Sequence, residues 1–301
     1  MHLHWVGVKK NLVFLILTFA CFACERKAET STESPVKPLT EFSNYYTQPK
    51  KETIYSKYVS DTLHLFKSTP EGYKNDSTQK YPLIILLDAN AFFESTLSEL
   101  KFNSFIGIVP RSIVIGVGYK DLVAMDSLRS RDYTYPVAIP EYEMTLSGKA
   151  DMFKKFIDEE LVPKLMKEYQ VDMNRSVICG HSIGGYFTLF YALRSIEEDK
   201  YTIKNIVSAS PSLHYNHRYL FEMEKGLTKP VHSVQLKVYV SMGSEDMADE
   251  ESSDILGAFE RQIAARGYDG LQLKAVEYTN FGHIDAAIPG FIKGITFALG
   301  E

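Results

Sequence analysis

One stretch, Ser176 to Arg194 (SVICGHSIGGYFTLFYALR), constrains this chain more than any other. Val177, Ile178 and Cys179 are the apolar run of a buried strand, and Phe187, Leu189, Phe190, Ala192 and Leu193 recur at helical spacing. Between them lies Gly180-His181-Ser182-Ile183-Gly184. A bare Gly-x-Ser-x-Gly is a common loop sequence. With a strand before it and a helix after it, the same five residues read as a nucleophile elbow. The serine then sits on a strained turn that lifts its hydroxyl above the strand ends, and Gly180 and Gly184 keep neighbouring side chains from colliding. The Ile183 N–H falls at a helix N-terminus, where unpaired donors and the macrodipole favour an oxyanion.

The chain begins with a basic segment ending in Lys9-Lys10, an apolar run from Leu12 to Ala23, and Cys24 followed by polar residues. That pattern reads as a signal peptide over residues 1–23, too short to span a bilayer. The ending Cys21-Phe22-Ala23-Cys24 resembles a lipoprotein signal, with Cys24 as the lipidated residue and Cys21 as the alternative. Residues 24–50, rich in Ser, Thr, Pro, Glu and Lys without apolar period, read as a flexible tether. Two of the 33 basic side chains and none of the 38 acidic ones lie in the signal, so the mature chain carries about −7 and offers nothing to nucleic acid. Cys179 is then the one cysteine inside the domain. A fold over residues 51–301 without a disulfide framework must rest on its core.

Along that domain, Tyr58–Phe66 alternates as a half-buried strand, while Tyr81–Leu87 and Ser112–Tyr119 are continuous apolar runs of central strands. After the first of these, a backbone N–H at Ala89 or Asn90 is placed to be a second oxyanion donor. Arg129 to Pro136 (RSRDYTYP) reads as a loop whose two arginines and two tyrosines either bind an anionic or phenolic substrate, with Arg131 lining the pocket, or form an Arg-Asp brace. Lys149–Tyr169 reads as a crossover helix kinked at Pro163. Ile203–Ala209 is a strand leading to Ser210-Pro211-Ser212-Leu213-His214-Tyr215. With no Cys or carboxylate cluster beside His214 and His217, pocket lining is the reading for this segment rather than a metal site. Leu236–Val240 is the next strand, ending near Glu245 and Asp246. A helix over residues 251–266 stops at Gly267. Leu271–Tyr278 alternates as an outer strand, His283 follows it, and Pro289 opens a closing helix.

The order Ser182, then an acid at Glu245 or Asp246, then His283, each after a strand, is the chain order of an α/β-hydrolase triad. In such a triad the histidine takes the serine proton and the acid fixes the imidazole tautomer. The expected fold is therefore α/β, a mostly parallel central sheet with helices on both faces. The sequence resembles the putative-esterase family of α/β-hydrolases, from about Ile54 to Leu299. The likeness is strongest at YPLIILLDANAFF, SRDYTYP, GHSIGGYFTLFYAL, SASPSLHY and NFGH, and closest to the siderophore-esterase branch. Two positions depart from that branch: Ala89 stands for its usual glycine, and His214-Tyr215 for an aromatic pair at the pocket edge. The resemblance implies a serine esterase needing no metal or organic cofactor. It also implies Asp246 as the triad acid and siderophore lactones or hydroxycinnamoyl esters as substrates. With the lipid anchor, the protein is expected in a bacterial cell envelope. The rival from another class is a binding lipoprotein that has kept only the scaffold.

Overall fold

The computed structural model describes residues 45–228, 232–246 and 254–300. Eight strands form one sheet in the order β1-β2-β4-β3-β5-β6-β7-β8. These are β1 (Lys50–Ser56), β2 (Asp61–Ser68), β3 (Tyr81–Leu86), β4 (Ile113–Gly118), β5 (Val171–His181), β6 (Asn205–Ala209), β7 (Lys237–Gly243) and β8 (Gln272–Tyr278). The pairs β1/β2 and β2/β4 are antiparallel and every other pair is parallel. The helices are α1 (Ala89–Phe105), α2 (Leu122–Tyr133), α3 (Ala150–Phe156), α4 (Val162–Glu168), α5 (Ile183–Glu197), α6 (Tyr215–Gly226), α7 (Ile255–Arg266) and α8 (Ala287–Leu299).

Alternation along the strands divides the core in two. Leu83, Ile85, Ile115, Ile178 and Val238 face α2 through α7 with Phe153, Phe187 and Phe190. Ile84, Leu86, Val114, Val177, Cys179 and Val207 face α1 and α8 with Phe93, Leu97, Phe291 and Ile295. Strands covered on both sides have no polar face, which is why their sequences are continuous apolar runs. Cys179 is one of these packed residues, and burial pushes its thiol far above the usual cysteine range.

Three expectations need correction. The fold begins before residue 51. The Tyr46 side chain is 2% exposed. Its hydroxyl accepts from Ser112 N at 2.9 Å, and Tyr46 bridges Pro70. Edge strand β1 then pairs with β2 over its whole length. Its residues KKETIYS face water more than core, so no apolar period marks them. Arg129 to Tyr133 is the last turn of α2, not a loop. The expected helix over 149–169 is interrupted by a π-helical turn, Ile157–Leu161, immediately before Pro163. Val162 N donates to Ile157 O, so the wider turn absorbs the hydrogen bond and the space that proline denies an α-helix. The expected signal, Cys21, Cys24 and the tether up to residue 44 lie outside the described residues.

Candidate active site

At the end of β5 the chain turns through Ser182 with φ 59° and ψ −122°, a conformation that costs any residue with a Cβ. Three hydrogen bonds hold it. Ser182 N donates to Ala209 O (3.1 Å), and Ser182 O accepts from Tyr186 N (2.8 Å) and Ser212 N (3.2 Å). The flanking glycines are steric requirements. A Cβ on Gly180 would lie 2.2 Å from Gly184 O, and one on Gly184 would lie 2.8 Å from Asp88 Oδ2. Ser182 Oγ hydrogen-bonds to Ser212 Oγ at 3.5 Å.

Two helices start beside this serine. Helix α5 begins at Ile183, and α1 begins at Ala89 after Asp88, whose φ of 52° is left-handed. The first N–H groups of a helix have no intrahelical acceptor, so Ile183 N and those of Ala89 and Asn90 are donors of the expected kind. The Asn90 side chain is otherwise engaged. Its Nδ2 donates to Tyr119 O (2.9 Å) and its Oδ1 accepts from Tyr119 N (2.7 Å), clasping α1 to the end of β4. Ala89 is accommodated because Gly116 lies beneath it. A Cβ there would come within 2.6 Å of Ala89 Cβ.

Asp88 is almost fully buried, and Arg129 neutralises it with a bidentate fork of 2.8 and 2.6 Å. Burial alone would lower the Arg129 pKa, but the Asp88 carboxylate beside it raises it instead. The same guanidinium donates to His181 O at 3.0 Å. One arginine therefore fixes the residue before α1 to the residue before Ser182.

On the far side of the site, His283 Nδ1 meets Asp246 Oδ1 at 2.5 Å. The Asp246 side chain is 2% exposed and that of His283 39%. Glu245 points to solvent, and its backbone N–H donates to Phe281 O at 2.9 Å. Of the two neighbouring acids it is Asp246 that reaches the imidazole. The loop carrying His283 comes beside the elbow through His181, whose Nε2 lies 2.7 Å from His283 O with the two rings 4.6 Å apart.

The residues expected at a pocket edge fall differently. The Arg131 guanidinium is bound by Asp132 and Asp61, so it braces α2 to β2. Burial raises the Asp132 pKa although Arg131 pulls it down. Tyr215 is 1% exposed and donates to Pro136 O, with Tyr142 stacked on it at 5.4 Å. Tyr215 is thus a packed residue joining the chain at Pro136 to Tyr142, not an exposed pocket residue. His214 and His217 are exposed. Among the described residues no group of three or more His, Cys, Asp or Glu side chains is placed to hold a metal.

His181, Ser212 and Tyr142 were not singled out by the sequence, and Arg129 was read only as one of two arginines on its segment. His181 and Ser212 stood inside motifs that carried the resemblance, and the roles of Arg129, His181 and Ser212 required knowing which strands are neighbours. Tyr142 has no signal of its own.

A mostly parallel sheet with an elbow at the end of β5, an acid loop after β7 and a histidine loop after β8 defines an α/β-hydrolase. Residues 56–280 match the family described as "Putative esterase", and the chain belongs to that family. It is 28% identical to the ferri-bacillibactin esterase BesA of Bacillus subtilis over 274 residues, 85% of this chain and 92% of that protein. The BES protein from Bacillus cereus superposes with a TM-score of 0.72, 24% identity and coverage of 85% of this chain and 97% of the other. The enterobactin and salmochelin hydrolase IroE superposes at 0.67, with 20% identity and coverage of 85% and 96%.

Proposed function

We propose that the protein is a serine esterase that acts through an acyl-enzyme on Ser182. The observation that carries this reading is the pairing of Asp246 with His283, whose loop is clasped by the residue next to a strained serine. In the resting geometry Ser182 Oγ leans toward Ser212, and catalytic hydrogen bonds often tighten only when substrate arrives. As Oγ attacks the ester carbon, His283 Nε2 takes its proton. Asp246 accepts from Nδ1–H and stabilises the imidazolium. The carbonyl oxygen becomes an oxyanion facing the N–H of Ile183 and that of Ala89 or Asn90. Collapse expels the alcohol with the proton from His283, and water repeats the sequence on the acyl-enzyme.

The substrate class is a siderophore-type lactone, with hydroxycinnamoyl esters second. The likeness to BesA over most of both chains favours the first. The residues ending at Cys24, read as an export and lipidation signal, are compatible with either and support a location in a bacterial cell envelope. Parallel assays of the purified protein on trilactone siderophores and on feruloylated sugars test this. Faster turnover of the trilactone is expected, and turnover of the feruloylated sugar alone would reverse the order.

A further inference from the structure

We propose that His181 is a positioning residue for His283, acting through a hydrogen bond from its ring to the His283 main chain. This rests on the reading of Ser182 and His283 as nucleophile and base, and it adds a residue to that machinery.

A carbonyl oxygen only accepts, so the 2.7 Å contact requires the proton on His181 Nε2. The ring is held to offer it. The His181 side chain is nearly buried, Phe92 meets it edge-on at 5.3 Å, and Phe92 is itself wedged against Phe291 of α8 at 5.6 Å. The His181 carbonyl is fixed by Arg129. Asp88, Arg129 and His283 are the charged and titratable groups around the ring.

The loop being held has few other anchors. Residues 279–285 are exposed or half-exposed, and Asn280 is left-handed at φ 62°. Their backbone ties outside the loop are Phe281 O to Glu245 N and Asn280 N to Ser244 Oγ, both to the acid loop, and Gly282 O to Ala286 N and Ile284 O to Ala287 N, both to the start of α8. Asp246 fixes the outer end of the imidazole and these bonds fix the approach. Among the described residues, only the His181 bond ties His283's own peptide to the strand that carries the nucleophile. Because His181 is the chain neighbour of Ser182, any shift of the elbow carries the base with it. Base and nucleophile then keep their separation, and misplacement of reacting groups by about 1 Å costs about 100-fold in rate.

The test compares the full chain as wild type, His181→Phe and His181→Gln. Phenylalanine keeps the packing against Phe92 and loses the donor, and glutamine can return an N–H near the Nε2 position. Readouts are kcat and KM on a p-nitrophenyl ester, and amide hydrogen exchange over residues 282–286. The expected result for His181→Phe is a fall of about 10- to 100-fold in kcat with KM nearly unchanged, and faster exchange in that segment. His181→Gln should recover most of both. Wild-type kcat and exchange in His181→Phe would overturn the proposal. So would a folded His181→Gln no better than His181→Phe, since packing alone would then explain the loss. If His181→Phe does not fold, His181→Gln decides alone, with retained rate and exchange supporting the bond and their loss overturning it. If wild type hydrolyses no ester, the reading of Ser182 fails while exchange still reports on the bond.

Discussion

Asp246 Oδ1 lies 2.5 Å from His283 Nδ1, and the adjacent Glu245 faces solvent. Neighbouring residues on a turning backbone point apart, so one carboxylate reaches the ring and the other does not. Asp246→Asn keeps the shape but presents the wrong tautomer to the base. Its kcat should fall by several orders of magnitude, toward the roughly 10⁴-fold loss known for a triad protease, while Glu245→Gln stays within about two-fold by the same argument. Steady-state kinetics of both variants decide it, and the reverse pattern would transfer the role to Glu245.

Arg129 stands between a buried carboxylate and a site built to hold negative charge. Removing it leaves Asp88 unpaired beside the start of α5. Arg129→Ala should destabilise the domain by about 3–5 kcal/mol, the usual cost of orphaning one partner of a buried pair. Arg129→Lys cannot form the fork to Asp88 and His181 O together. It should fold with an intermediate loss and a kcat reduced on the order of 10-fold or more, as for weakened oxyanion stabilisation. Urea unfolding and kinetics of the two variants check both effects.

His181 gives stability a pH dependence. Burial, with His283 and Arg129 nearby, pushes its pKa down to about 4, whereas an unfolded histidine titrates near about 6.5. Between these values the unfolded chain binds more protons. The contribution is therefore fully present above about pH 6.5 and is lost as pH falls toward 4, by on the order of 3 kcal/mol. Unfolding midpoints of wild type and His181→Phe across that window should diverge, with the variant less sensitive. Equal slopes would show that other groups set the acid limb.

Much of this arrangement could be read in the chain because its strands are buried on both faces. Tyr81–Leu86 and Ile113–Gly118 announce themselves as apolar runs, and the elbow carries its own steric signature at Gly180 and Gly184. What escaped reading depends on neighbours distant in sequence. Lys50–Ser56 is a strand because β2 offers an edge, not because its residues alternate. Arg131 could have lined a pocket or braced an acid, and the choice was made by Asp61, far upstream in the chain. Arg129 and His181 acquire their roles only when β3, β5 and the loop after β8 meet at one sheet edge.

The lipoprotein reading is tested separately from the chemistry. On the proposal that Cys24 is lipidated, Cys24→Ala should move the protein from the membrane to the soluble fraction with its esterase activity intact, because every proposed catalytic residue lies within the described domain. Fractionation followed by assay reads this. Full retention in the membrane would contradict it, and release by Cys21→Ala alone would move the modified residue.

The central claim is that Ser182 forms the covalent intermediate. Intact-protein mass spectrometry after treatment with a serine-directed phosphonate tests it most directly, with ester hydrolysis assayed in parallel. A single adduct on Ser182, matched by loss of turnover and absent from a folded Ser182→Ala variant, is the predicted result. Esterase activity in Ser182→Ala above a few per cent of wild type, or an adduct on another residue, would contradict the account.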